Sequence, residues 1–469
     1  MQPRRPSGSI EVKLSASGFV ERMLWPLLVL LLIAALLLGG SNRDAPYDIV
    51  VQLAALAVLA ALCLRAPIHW PGTPIDRAIV CLWAFALTLP LLHLLPLPPG
   101  VWMALPGRDE VARALMLAGV PLGWMPLSLN PDGSRAAFVH LLIGLAAYSA
   151  TRALPVAGAG PRVLRVIFGL AVLSVVLGLA QFADGVQSSL HFHTLSPGTN
   201  ATGFFGNRNH QALWLAACFP LITVWTLGWL RGERHAATQK ALGATAGLGL
   251  GAVLLLGLAL TNSRAGLVLG MVALAGSLIL MLRSQHVPRR GMRWIAFSGL
   301  AGLVLALQFG MYGLLQRFDD DPLDDARFTI AAVTAQAAHH YGSVGSGLGS
   351  FVPAYAGFEQ RETTFPAYVN HAHNDYLELW LEAGWPGLAL LAGCLAMWIW
   401  LGLRVWRGAD APPQYAVLLA RAAWLSLGLL LLHSVVDYPL RTPAMIAFAG
   451  VLLGLTASGA TAPQGRASG

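Results

Sequence analysis

Long unbroken apolar runs, most of them near twenty positions and separated by shorter polar stretches, fill this chain from end to end. A helix of about 20 residues crosses ~30 Å of hydrocarbon and satisfies its own backbone hydrogen bonds there. Each run therefore predicts a membrane-spanning helix. Twelve are read, at 24–41, 47–64, 78–98, 135–152, 163–183, 210–230, 241–261, 265–282, 294–314, 376–403, 415–436 and 441–458. The first follows a basic start (Arg4, Arg5, Lys13, Arg22), lacks a clear small-residue cleavage site and is followed by further spans. It reads as an uncleaved first helix. Three connections are long, 99–134, 184–209 and 315–375. The last is too long and too polar for a bare linker and predicts helices of its own. No internal repeat is evident. The fold class is all-α: a polytopic membrane helical bundle of about twelve transmembrane helices with a long, partly helical external loop.

Composition agrees. Of 469 residues 56% are hydrophobic and 11% charged, whereas roughly a quarter of an average soluble domain is charged. Orientation follows from the basic residues. With the N-terminus in the cytoplasm, most Lys and Arg fall on that side, among them Arg231, Arg234, Lys240, Arg283, Arg289, Arg290 and Arg293. That is the arrangement the positive-inside rule favours. Most acids, including Asp319, Asp320, Asp321, Asp324 and Asp325, then lie outside, as do all three long connections. The chain divides into a cytoplasmic tail (1–23), helices one to nine (24–314), a large external loop (315–375), helices ten to twelve (376–458) and a second cytoplasmic tail (459–469). The net charge of +8 fits this membrane-facing bias, and no motif asks for a nucleic-acid partner. Cys63, Cys81, Cys218 and Cys394 all fall in expected spans without CxxC spacing. They read as small buried hydrophobes.

Against this background the segment HAHNDYLELWLEAGWPG (371–387) gathers titratable groups at the mouth of a span, where charge is costly and marks a candidate functional site. His371 and His373 precede Asn374, Asp375, Glu378 and Glu382. Asp375 and Glu378 approach a capping-box pattern, and the three acids share one helical face, so helix-start chemistry and site chemistry both stand open for them. A His-x-His pair, repeated at His191 and His193, is a weak metal signal without a third ligand, and no metal or other cofactor is expected. A single histidine acting as general base is the more economical reading, because imidazole exchanges protons near neutral pH. Arg208, in GFFGNRNHQA (203–212), and Arg264, in TNSRAG (261–266), lie at external span ends. Each either snorkels or caps a helix, or the two form guanidinium forks for a lipid diphosphate. Arg327 and Arg441 are external too; an ion pair with a nearby acid is the plainer account, contact with phosphate or glycan the sharper one. VGSGLGSF (344–351) can present backbone amides to a phosphate. Phe351, Tyr355, Phe358, Phe365 and Tyr368 form either a small loop core or a stacking surface for sugars.

His373-Asn374, nine residues, Gly384, two residues and Gly387 resemble the His-Asn-x9-Gly-x-x-Gly signature of the bacterial O-antigen ligase and O-antigen polymerase superfamily. PLSLNPDGSRAA (126–137), GFFGNRNHQA, TNSRAG, VGSGLGSF and HSVVDYPLRTP (433–443) resemble further segments of that superfamily, from about residue 120 to 450. The first hundred residues resemble it only as generic membrane helices. The resemblance implies a GT-C-like, metal-independent inverting glycosyltransferase of the bacterial inner membrane, with the 315–375 loop and the active site on the periplasmic face. It implies a glycan donor on undecaprenyl diphosphate and, as acceptor, lipid A-core in a ligase or another lipid-linked glycan in a polymerase, with surrounding membrane lipids as further partners. The signature spacing favours the ligases. His373 would be the general base and Arg208 and Arg264 would hold the diphosphate. Asn374, Asp375, Arg327, Arg441 and His371 would support them. A transporter, which needs a midplane site often set between repeated halves, and a non-catalytic assembly component are the competing classes.

Overall fold

The computed structural model of the chain describes residues 11–41, 45–64, 72–185, 188–193, 201–232, 235–284, 322–360, 368–407 and 414–461. Helices α1 (Glu11–Leu38), α2 (Ala45–Cys63) and α3 (Pro74–His93) come first. A small segment between spans follows: β1 (Pro96–Leu97), α4 (Pro99–Met103), α5 (Asp109–Leu117) and β2 (Met125–Pro126). Next are α6 (Pro131–Ala153), α7 (Val156–Asp184), α8 (Arg208–Arg231), α9 (Ala237–Leu260) and α10 (Arg264–Ser284). The long loop holds α11 (Pro322–Tyr341) and the short α12 (Phe351–Ala356), and α13 (Asp375–Trp406), α14 (Tyr415–His433) and α15 (Pro443–Ala460) close the chain. Ten of these helices, all but α1, α4, α5, α11 and α12, are long and apolar enough to cross a membrane. The chain is a polytopic helical membrane protein. Every expected span but one falls on a helix; the remaining one, 294–314, lies outside the described residues.

Local chemistry sets the helix ends. Asn130 caps α6, its side chain accepting from the Gly133 amide at 3.1 Å, and Pro131 starts the first turn without wasting an amide. The span expected at 78–98 stops at His93, because the chain then turns into β1, which pairs antiparallel with β2 through Pro96–Pro126 and Leu97–Met125. The last span begins at Pro443, because Pro439–Arg441 forms a separate 3-10 turn.

α15 is the centre of the bundle and α13 its flank: 78% of the apolar stretch of α15 is buried against 22% of that of α13. Small residues permit the tightest contact. A Cβ on Gly450 would stand 2.4 Å from the Gly144 carbonyl oxygen, so α15 and α6 approach as closely as hydrogen allows. Three of the four cysteines depart from expectation: Cys63, Cys81 and Cys394 are exposed and only Cys218 is buried. A thiol on an outward face of a lipid-embedded helix meets hydrocarbon and needs no protein cover.

The long loop builds its own apolar cluster, in which Ile330, Val333 and Tyr341 of α11 meet Phe351 and Tyr355 of α12 and Leu381 of α13. Phe351 and Tyr355 stack within it, and Phe358 packs against it; the core reading of these aromatics holds. Tyr368 is exposed, and Phe365 lies outside the described residues. Fully buried Arg108 ties the β1–β2 segment to this loop, donating to Leu127 O at 2.7 Å and Gly345 O at 3.0 Å. The helix α13 is itself broken at Gly384 (φ 54°, ψ −140°). A Cβ there would lie 2.3 Å from Ser343 O, and the Trp385 amide donates to that same oxygen. Thus the 343–347 turn seats directly in the break.

Candidate active site

The first turns of α13 lie at the end of the bundle that carries the long loop, where burial forces every charge to find a partner. Asn374, not Asp375, caps the helix: its side-chain oxygen accepts from the Tyr376 and Leu377 amides at 2.9 and 3.0 Å. The acids are thereby released for other work. Arg441 reaches Glu382 at 2.7 Å, Glu378 at 3.0 Å and Asp375 at 3.6 Å. Burial opposes its charge, but the three carboxylates outweigh that and hold its proton more firmly than usual. Asp375 also accepts from Ser434 Oγ at 2.8 Å. His371 Nδ1 lies 2.8 Å from Glu378 Oε1, and the Ala372 amide donates to Glu378 Oε2. Burial is the strongest influence on His371 and lowers its pKa, although Glu378 pulls the other way. A neutral imidazole donating through Nδ1 to Glu378 fits that balance.

Two residues on, His373 has a left-handed backbone (φ 49°), a conformation that for residues other than glycine costs of the order of 1 kcal/mol and marks an imposed geometry. It turns the ring toward Asp437, whose Oδ1 lies 3.4 Å from His373 Nδ1. That is longer than a good hydrogen bond, as catalytic contacts often are before substrate arrives. Asp437 has no exposed surface. Asn209 Nδ2 donates to it at 2.9 Å, Asn207 Nδ2 at 3.2 Å and the Tyr438 amide at 3.0 Å. His210 and His433 stand 3.7 and 3.8 Å away. Burial alone would raise the pKa of this carboxyl, yet the donors and charge of His210 and His373 hold it well below the ordinary range. Asp437 is a buried carboxylate aimed at an imidazole, the arrangement that fixes a base's ring orientation and stabilises its protonated form.

Arg208 and Arg264 begin α8 and α10, both half-buried. Their neighbours weld them to this centre. Asn207 caps α8 by accepting from the Asn209 amide at 2.8 Å. Asn209 in turn accepts from Ser263 Oγ at 2.7 Å, and that same oxygen accepts from the Gly266 amide in the first turn of α10. A continuous chain Ser263–Asn209–Asp437–His373 therefore joins the starts of α10, α8 and α13. Positive helix N-termini with arginine at the first position form a natural seat for an anionic group. Arg327, on α11, is near enough for its charge to act on His433.

The glycine-rich turn does not offer its amides to a ligand. The amides of Gly349 and Phe351 donate to Glu382 Oε1 at 3.0 and 3.1 Å, that of Gly347 to Glu382 O, and that of Leu348 to His93 Nδ1. The anion this nest holds is the protein's own glutamate. His191 and His193 contact Thr202 and the Phe204 carbonyl instead of a shared point. Among the described residues no group of three or more His, Cys, Asp or Glu is disposed to hold a metal ion. Sequence reasoning missed Asp437, Asn207, Asn209, His210 and His433 as a set. The signal lay in two motifs, GFFGNRNHQA and HSVVDYPLRTP, that each place several polar residues against apolar spans.

Residues 249–392 match the family described as O-antigen ligase. The match contains Arg264, His371, His373, Asp375, Glu378 and Glu382, while Arg208, Asp437 and Arg441 lie outside it. No curated protein matches the chain.

Proposed function

The chain belongs to the O-antigen ligase superfamily, and from that premise we propose that it transfers a glycan from undecaprenyl diphosphate to an acceptor hydroxyl, on the periplasmic face of the bacterial inner membrane. His373 is the general base that removes the acceptor proton. Asp437 keeps its ring oriented and stabilises the imidazolium that forms. Arg208 and Arg264 hold the diphosphate, where guanidinium forks match phosphate oxygens. As the sugar–phosphate bond breaks, negative charge grows on the departing diphosphate, and preorganised cations stabilise that transition state more than the ground state. A role filled by arginine needs no divalent ion. Attack from the face opposite the leaving group inverts the anomeric centre; product of retained configuration would remove this part of the mechanism. The observation that carries the reading is the buried Asp437 beside His373, joined by hydrogen bonds to the helix starts that bear both arginines.

Lipid A-core is the proposed acceptor, on the His-Asn-x9-Gly-x-x-Gly spacing. A deletion strain decides between this and polymerisation: long glycans left on undecaprenyl diphosphate indicate a ligase, single repeats a polymerase. The base is tested by His373→Ala. Transfer should fall ~10²–10⁴-fold, the usual worth of a positioned base, with normal membrane insertion. Transfer at the wild-type rate sinks the assignment.

A further inference from the structure

At the end of the bundle away from the candidate active site, where α10 and α13 finish and α14 starts, a buried charge stands without a counter-ion. Arg421 is 4% exposed, and its backbone lies roughly 9 Å inside α14, which begins at Tyr415. No carboxylate pairs with it among the described residues, and its one hydrogen bond there runs from Nε to Val405 O at 2.7 Å. Val405 is in the last turn of α13, so the side chain snorkels back to the level where that helix ends. A guanidinium carries five N–H donors. The four on its terminal nitrogens meet no acceptor among the described residues, a costly state for a charge beside hydrocarbon. The surroundings are fixed. Trp398 Nε1 donates to Trp424 O at 3.2 Å, Trp424 Nε1 donates to Trp398 O at 2.8 Å, and the two rings stack at 4.5 Å. These bonds join α13 to α14 within a turn of Arg421, whose guanidinium lies over the Trp406 ring at 4.9 Å. On a third side α10 packs on α14: a Cβ on Gly276 would stand 3.2 Å from Leu425 Cδ1. From that contact Arg283 lies roughly 10 Å further along α10 and Arg421 roughly 6 Å back along α14, both toward the same end. Arg283 is exposed in the last turn of α10, and its charge acts on Arg421.

We propose that Arg421 and Arg283 bind the phosphate of an anionic membrane lipid, in the leaflet opposite the candidate active site. Both guanidinia stand where helices end, the level of lipid headgroups. Arginine is weakly hydrated for a cation and matches phosphate oxygens with a planar fork. Two cations that no described carboxylate pairs call for a ligand of net negative charge. Phosphatidylglycerol supplies it; phosphatidylcholine, whose phosphate is already matched by its own choline, does not. The lipid bridges the ends of α10, α13 and α14 and supplies the counter-ion that Arg421 lacks. The site is independent of the chemistry at the other end of the bundle.

Native mass spectrometry of the full chain, released from nanodiscs of equal phosphatidylcholine and phosphatidylglycerol, tests this. The wild-type chain should retain phosphatidylglycerol in preference. Arg421→Gln should reduce that retention about tenfold, the worth of a charge-assisted hydrogen bond. Arg283→Gln should reduce it about fivefold, the worth of one basic residue at an anionic surface. Arg77→Gln, exposed in the first turn of α3 at the same end of the bundle, should change nothing. Should Arg421→Gln fold poorly, the exposed Arg283 decides alone. Equal retention of both lipids, retention unaltered in Arg283→Gln, or an equal loss in Arg77→Gln overturns the proposal. So does displacement of the lipid by excess inorganic phosphate, which would assign the site to a soluble anion.

Discussion

Asp437 is a carboxylate with no exposed surface at the centre of the site. Fully buried, it remains charged only because amide donors and imidazoles crowd its two oxygens. Asp437→Asn keeps the shape and removes the charge that orients His373. Transfer should drop roughly 10–100-fold, the equivalent of a charge-assisted hydrogen bond of ~1.5–3 kcal/mol. In a His373→Ala background the same change should cost nothing more; additive losses in that cycle would uncouple the two residues. His371 makes a second prediction. Its pKa is lowered from the ordinary 6.5 mainly by burial, so below about that pH the unfolded chain takes up a proton the folded chain resists. Stability therefore rises with pH in this window and is lost as pH falls through it. Relative to His371→Gln, the melting midpoint in detergent should fall more steeply as the pH drops through about 6.5; an identical slope in the two proteins would assign the fall to other groups. His373, Arg208 and Arg264 are legible in the sequence because each stands in a motif at an apolar boundary. Asp437 is not, because its pairing with His373 joins the ends of two different helices across a long stretch of chain.

Among the elements, α13 does most to hold the site, and Arg441 holds α13. Removing one member of a buried ionic cluster leaves uncompensated charge, at ~3–5 kcal/mol. Arg441→Met should therefore lower yield and melting temperature sharply, even without donor or acceptor; a well-folded but inactive variant would instead assign Arg441 to substrate binding. The spans are legible because helices in lipid must be long, apolar and internally bonded. The glycine-rich turn is not, because glycine spacing announces close approach without saying to what. Here Gly345 meets the Glu382–Ala383 backbone and the Glu382 carboxylate fills the nest. The ion cluster of Asp375, Glu378 and Glu382 is half legible: their shared face is read from spacing, whereas the cap belongs to Asn374.

For the molecule as a whole, the site is an assembly of chain segments that are far apart in sequence, namely the starts of α8, α10 and α13 and the turn before α15. Their convergence at one end of the bundle is compatible with a single aqueous face, which we propose is the periplasmic one because the basic residues gather at the opposite end. With native cysteines replaced, a membrane-impermeant maleimide added to intact cells permeabilised only in the outer membrane should label a cysteine at Trp385 or Leu117, both exposed. A cysteine at Ala236, in the basic connection before α9, should stay unlabelled until the inner membrane is opened. The reverse pattern would invert the topology and place the chemistry in the cytoplasm.

Nine residues separate the cap at Asn374 from the break at Gly384, roughly two and a half helical turns. The cap end is fixed to Asp437 and the Ser434 carbonyl, the break to Ser343. One residue added between them would rotate the two ends by ~100° relative to each other, so the imidazole and the docked turn could not both keep their partners. The spacer is a phase lock. Its length sets the direction in which the histidine points, and its composition is tied down where it meets Arg441, the loop or α14, which Tyr376 reaches by donating to Leu431 O at 2.6 Å.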